Sequence, residues 1–217
     1  GDAELLLLPP YRSERLSLAS YTGSPNLNEH LKTALFIFTD ETYAKLSQQI
    51  RLQDSPRRSP EMGLTLAQTW DPVVRNFAAS FQIRLVGDVL CARQPQSGFF
   101  YAALAGHKLG NFDVLYDPRA EEQITVGQMV FRDDRSFFDV WTRFPARSFR
   151  NRARPVPGPE VSLSDFRIDA IIEPDLRLRV TTQAKMVPGP EGRHAPGFYI
   201  SPRMRAGEAR IDGEPVE

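Results

Sequence analysis

Two rhythms of apolar and polar positions run along the chain, and the first gives way to the second near Ser97. Ala3–Leu8 predicts a short strand stopped by Pro9-Pro10, because proline supplies no donor to a ladder. Tyr11 to Asn28 is polar, with a turn marked by Gly23-Ser24-Pro25. Leu35-Phe36-Ile37-Phe38 is continuously apolar and predicts a strand buried on both faces. Asp40 is placed to cap a short helix from Glu41 to Gln49, with Glu41 near its positive end. Arg51 to Gly63, with two prolines and Arg57-Arg58, reads as an exposed loop.

The next segment has a helical period. Asp71-Pro72 supplies a cap and a proline suited to the first helical position. Val73, Val74, Phe77, Ala78, Phe81, Leu85, Val89 and Leu90 then recur at spacings of three and four, with Arg75, Asn76, Gln82, Arg84 and Asp88 mostly between them. One long helix from Pro72 to about Cys91 is predicted. Beyond Ser97 the period becomes two. Phe99–Ala105 and Asn111–Asp117 flank the loop from Gly106 to Gly110, and Ile124–Phe131 and Phe137–Phe144 flank the charged turn Arg132–Arg135. The expected fold class is α+β: an amino-terminal module over residues 1–144 with one long helix and an antiparallel meander.

A Pro/Arg-rich stretch over residues 145–160 has almost nothing apolar to bury and reads as a semi-extended linker. Past it, residues 161–217 read as all β. Val161–Glu173 and Leu176–Val187 alternate around Pro174-Asp175, and Phe198–Ile200 and Arg205–Ile211 lead to an Asp212-Gly213 turn. An independent sandwich needs about 100 residues, so this segment reads as truncated. Its apolar surface exceeds what two more short strands can cover. Packing back on residues 3–144 is the expected outcome, with a homodimer through an exposed strand edge as the second.

Composition narrows the chemistry. With 41% apolar and 25% charged residues the chain can bury a core, and 27 basic against 27 acidic residues argue against a nucleic-acid binder. The 18 prolines favour short elements. The longest near-apolar stretch, Phe99 to Gly106, is far too short for a transmembrane span. Leu5–Leu8 lacks the charged flank of a signal peptide, and Gly1, if a cleavage scar, would make the chain an excised fragment. A single cysteine, Cys91, excludes an internal disulfide and reads as a small apolar helix residue.

Candidate chemistry is sparse. His30, His107 and His194 are isolated, and Asn28-Glu29-His30 lacks the second histidine of a His-Glu-x-x-His helix. No catalytic, cofactor-binding or metal residue is assigned, and no cofactor is expected in this chain. Asp113, Asp117, Glu121 and Glu122 gather near the end of the meander, where a carboxylate pair would be defined only by its separation in space. Turn and loop acids are the plainer reading. Asp133-Asp134 reads as a turn without calcium-loop spacing. The arginine run from Arg143 to Arg154 reads as solvated linker, since only Phe144 and Phe149 interleave it.

Two sets of residues carry a resemblance. Phe166-Arg167-Ile168-Asp169, Ile172-Glu173-Pro174-Asp175-Leu176, Phe198-Tyr199-Ile200-Ser201-Pro202 and Ala209 to Val216 together resemble the opening strands of the amino-terminal β-domain of aminopeptidase N-like zinc metallopeptidases, the gluzincins. Upstream, Tyr21–Pro25, Leu35–Tyr43, Gly110–Arg119, Glu122-Gln123-Ile124 and Val126-Gly127-Gln128 resemble an amino-terminal extension of exported bacterial relatives. The family's His-Glu-x-x-His helix and Gly-x-Met-Glu-Asn strand are absent from these residues, so neither zinc nor peptidase activity carries over.

The resemblance implies an exported, non-catalytic amino-terminal region. It would scaffold or shield a downstream catalytic domain of the same polypeptide. Two other classes stay open. A stand-alone binding module for a peptide, glycan or cell-envelope partner would use the aromatic residues Phe99, Phe100, Tyr101, Phe112, Tyr116, Phe131, Phe137, Phe138 and Trp141. A hydrolase would use carboxylates near Asp113 and Asp117.

Overall fold

Six strands pair in chain order into one antiparallel sheet: β1 (Ala3–Leu7), β2 (Leu27–Phe38), β3 (Phe100–Gly106), β4 (Asn111–Tyr116), β5 (Ile124–Arg132) and β6 (Arg135–Phe144). The computed structural model describes residues 3–49, 60–80, 82–90, 98–133, 135–150, 161–189, 198, 200–201 and 203–216. Strand β3 lies in the middle of the sheet and is buried on both faces. Its alternation explains why. Ala102 and Leu104 point to one side, while Tyr101, Ala103 and Ala105 point to the other. The alanines leave room for helices to approach both faces closely.

One face carries helix α1 (Arg12–Thr22) over Leu27, Ala102, Leu104, Phe112, Val126 and Trp141, with Leu18 as its fully buried contribution. Trp141 is stacked between Phe112 and Tyr21, with ring centroids 5.5 and 6.5 Å away. The other face carries α3 (Pro60–Ser80) and α4 (Ile83–Leu90) over Phe99, Tyr101, Ala103, Ala105 and Leu115, with Val73 and Leu85 reaching in. Each such fully buried apolar side chain contributes about 1.5–3 kcal/mol. A short helix α2 (Thr42–Gln49) follows β2, and Asp40 Oδ1 accepts from the Thr42 N–H at 2.9 Å as the capping pattern requires.

Several sequence expectations are corrected. The polar stretch after Pro9-Pro10 contains α1, which ends where Gly23 turns left-handed (φ 75°) and its N–H bonds to Ala19 O. Only Leu18 on α1 is fully buried, so the helix leaves little apolar period. The single long helix from Pro72 is two helices. α3 begins at Pro60, inside the expected loop, and holds Pro72 in its interior. It ends at Ser80, and the Gln82 carbonyl then starts α4 by accepting from Val86 N at 3.1 Å. Val74, Val89 and Leu90 of the expected stripe are exposed. Residues 51–59 and Cys91 lie outside the described residues.

The strand Leu35–Phe38 is the end of a longer strand, and its two faces differ. Leu35 and Ile37 pack toward α3, whereas Phe36 on the α1 face is 53% exposed, because α1 covers the opposite end of the sheet. Residues 145–150 of the expected linker pack on the sheet. Ala146 is buried with its N–H on Gln123 Oε1 at 3.0 Å, and 151–160 lie outside the described residues.

Downstream, β7 (Val161–Ile172) and β8 (Leu178–Pro188) form the expected hairpin, and β9 (Ala209–Ile211) and β10 (Glu214–Val216) a smaller one. Asp212 and Gly213, at φ 51° and 87°, make the two-residue turn between the latter. Phe198 and Ile200 are not in a strand, and the strand expected over Arg205–Ile211 is confined to Ala209–Ile211. The expected packing of this segment on residues 3–144 is not made here: nearly every described side chain of β7 and β8 is exposed.

Candidate functional site

The most chemically loaded place in the molecule is the seam between α3 and the sheet. Asp113 on β4 pairs in register with Ala103, so its side chain points to the α3 face beside Tyr101. It is 0% exposed. Asn76 and Ser80, one turn apart on α3, reach down to it: Asn76 Nδ2 donates to Oδ1 at 2.5 Å, and Ser80 Oγ lies 2.9 Å from Oδ2. Ser80 Oγ is also 2.8 Å from the Tyr101 hydroxyl and 2.8 Å from Asn76 O. The hydrogen-bond partners of the carboxylate among the described residues, Asn76, Ser80 and Tyr101, are neutral. Burial pushes Asp113 up to about 6, against the lowering effect of hydrogen bonds from Ser80, Tyr101 and Asn76. Burial and the neighbouring Asp113 also raise the Tyr101 hydroxyl.

A second buried network ties α4 to the strand ends. Asp88 pairs with Arg84 one turn earlier at 3.1 Å and accepts from Thr39 Oγ1 at 2.7 Å. Thr39 Oγ1 in turn accepts from the Phe99 N–H at 2.7 Å. Burial raises Asp88, opposed by the Thr39 bond and by Arg84. A third involves Glu29 on β2, whose Oε1 accepts from the Lys108 N–H at 2.8 Å and so fixes the loop between β3 and β4. A Cβ at Gly106 would stand 2.7 Å from Glu29 Cγ, so a larger residue there would displace the Glu29 side chain.

The candidates from the sequence are dispersed. Asp113 and Asp117 belong to different networks, since Asp117 faces Arg84 at 3.8 Å and caps the Arg119 N–H at 3.0 Å. Glu121 and Glu122 sit in the turn before β5. His30 faces Glu4 at 3.9 Å on the β1–β2 pair, and its carbonyl accepts from the His107 N–H at 3.0 Å, so two histidines are backbone neighbours. His194 lies outside the described residues. No group of three or more His, Cys, Asp or Glu among the described residues is arranged to hold a metal ion. Asp133 adopts the left-handed turn conformation at φ 50°. Arg143 and Arg150 are spent on Thr125 Oγ1 and Pro145 O. Of the nine aromatic candidates, Phe131 stands out as largely exposed, at 70%.

Sequence reasoning missed Asn76, Ser80 and Asp88, taking two of them as outward polar positions. The available signal was their spacing. Asn76 and Ser80 are four apart, bracketing Phe77 on the side of the helix that carries Val73.

Beside the seam runs an open groove of about 390 Å³ between α3 and the tip of the β5–β6 hairpin. Asp71, Arg75 and Asn76 line one wall, and Met129, Val130 and Phe131 the other. Arg75 is paired with Asp71 at 2.9 Å, and the Asn76 amide is turned away toward Asp113. The three networks therefore join helices, strands and loops to one another, and the groove presents no free acid–base pair. No helix among the described residues is long and apolar enough to cross a membrane. No protein-family model, curated protein or solved structure matches the chain.

Proposed function

We propose that the chain is a non-catalytic scaffolding region of a larger, exported metallopeptidase-like protein, where it positions or shields a catalytic domain. One observation carries the non-catalytic half of this reading. The buried acids Glu29, Asp88 and Asp113 each accept hydrogen bonds from another element and hold the fold together. A catalytic acid or base needs a reacting group within hydrogen-bond reach. Both carboxylate oxygens of Asp88 and of Asp113 are taken by the protein's own groups, while Glu29 keeps a buried Oε2 without a hydrogen bond among the described residues. The metallopeptidase half comes from the resemblance of residues 161–217 to the opening strands of a gluzincin β-domain.

A second reading, a stand-alone binding module, is favoured by the groove and its exposed Phe131. Burial of Phe99, Tyr101, Phe112 and Trp141 weighs against it, because the core has already claimed them. The test compares this chain with the product of the complete reading frame in peptidase assays with and without a chelator. The scaffolding reading predicts no turnover by this chain and chelator-sensitive turnover by the longer product. Turnover by this chain, or a complete frame with no zinc-binding helix, contradicts it.

A further inference from the structure

The β7–β8 hairpin has one apolar and one polar face, and a bulge makes it so. The register runs Leu163 to Met186 and Ser164 to Lys185, then resumes with Arg167 to Gln183, so β7 carries one residue more than β8 in between. Asp165 supplies the kink with a left-handed φ of 53°, unusual for a residue with a side chain. Without the extra residue, Val161 and Leu163 would face away from Ile168, Ala170 and Ile172. With it, all five share a face with Leu178, Val180, Thr182, Ala184 and Met186. That face has no charged residue over its length. The opposite face is mostly polar, with Ser162, Ser164, Arg167, Asp169, Arg179, Thr181, Gln183 and Lys185 around the exposed Ile171 and Val187.

The apolar face is bare, with Ile168 62% and Ile172 72% exposed. An isolated two-stranded hairpin is at best marginally stable in water, so this face calls for a second layer. The main sheet does not supply it: its exposed apolar residues, such as Leu6, Phe36 and Phe131, lie on different strands and form no strip of eleven or twelve positions. A second hairpin matches it in length, width and lack of charge. Strands of this length run about 35–40 Å and two of them are about 10 Å wide, so two facing copies remove on the order of 1,000 Å² from water. That is the lower limit for a specific interface.

We propose that the chain self-associates through this face, two copies stacking their β7–β8 hairpins across a two-fold axis as a four-stranded sandwich. The inference rests on the hairpin alone and does not depend on the scaffolding role. The association is reversible and weak, in keeping with its small area, and the polar faces stay in solvent.

Sedimentation equilibrium over a wide range of protein concentration tests it. A monomer–dimer equilibrium is expected, weakened at least tenfold by Ile168→Lys and unchanged by Thr181→Lys on the polar face. A second measurement does not rely on a lysine being tolerated. In a Cys91→Ser background, Ala170→Cys should give disulfide-linked dimers under mild oxidation, and Thr181→Cys should not. A monomer at all concentrations overturns the proposal. So does a dimer that resists Ile168→Lys, or one that cross-links equally through both cysteines, since either places the contact at a strand edge or elsewhere.

Discussion

Asp113 shows how one side chain sets the behaviour of the interior. Its carboxyl titrates near 6 in the folded chain and near 3.8 when unfolded, because burial disfavours the anion. Below about pH 4 both states hold the proton, and between about 4 and 6 only the folded chain does. The stability contributed by the protonated form is therefore complete below 3.8 and is lost as pH rises through about 6. The two values are separated by an energy of roughly 3 kcal/mol. Urea unfolding of the wild type and Asp113→Asn should show it. Between pH 4 and 7.5 the wild type should lose about 2–3 kcal/mol more than the variant, the other acids cancelling in the comparison. Parallel pH profiles would contradict the assignment. Ser80→Ala removes the hydroxyl shared by Tyr101 and Asp113, and is expected to cost about 1–3 kcal/mol in the same assay at neutral pH.

Among the elements, those with an uninterrupted period were legible in the sequence. The strands from Phe99 to Phe144 emerged within a residue or two at most ends, because each keeps its alternation and its turn residues mark the boundary. Bulges defeated the same reasoning elsewhere. In β2 the register skips between Leu31 and Thr33, so Leu27 and Leu31 share the α1 face with Ala34 and Phe36, and no simple alternation is visible. The run Leu35–Phe38 then passed for a doubly buried strand. The candidate site was less legible still, since its acids are polar residues hidden by long-range partners such as Thr39 and Asp88, 49 positions apart. Proline signals misled as well: Pro72 lacks only one helical donor, a loss that α3 tolerates in its interior.

Glycines at element contacts give a sharper test of the sheet. At Gly127 a Cβ would meet Asp139 O at 2.5 Å, a backbone atom that cannot swing aside. At Gly110 there is open space, but φ is 70°. Gly127→Ala is expected to cost about 1–3 kcal/mol through overpacking. Gly110→Ala should cost about 1 kcal/mol through backbone strain alone. Thermal unfolding of both variants measures the difference, and an unaffected Gly127→Ala protein would mean that β5 and β6 are not paired as described.

On the scale of the molecule, the chain divides its apolar surface unequally. Among the described residues up to 150, helices pack on both faces of a six-stranded sheet and buried hydrogen bonds lock it, while β7–β8 presents a full apolar face to solvent. The first is built to stand alone and the second to be covered. Amide hydrogen exchange read residue by residue, at low and high protein concentration, tests this division most directly. The account predicts that amides of Tyr101–Ala105 and Phe112–Leu115 exchange slowest and independently of concentration. Those of Ile168–Ile172 and Leu178–Thr182 should exchange far faster in dilute solution and slow as the concentration rises. Equal protection of both sets at every concentration, or central strands that exchange as fast as the hairpin, would contradict it.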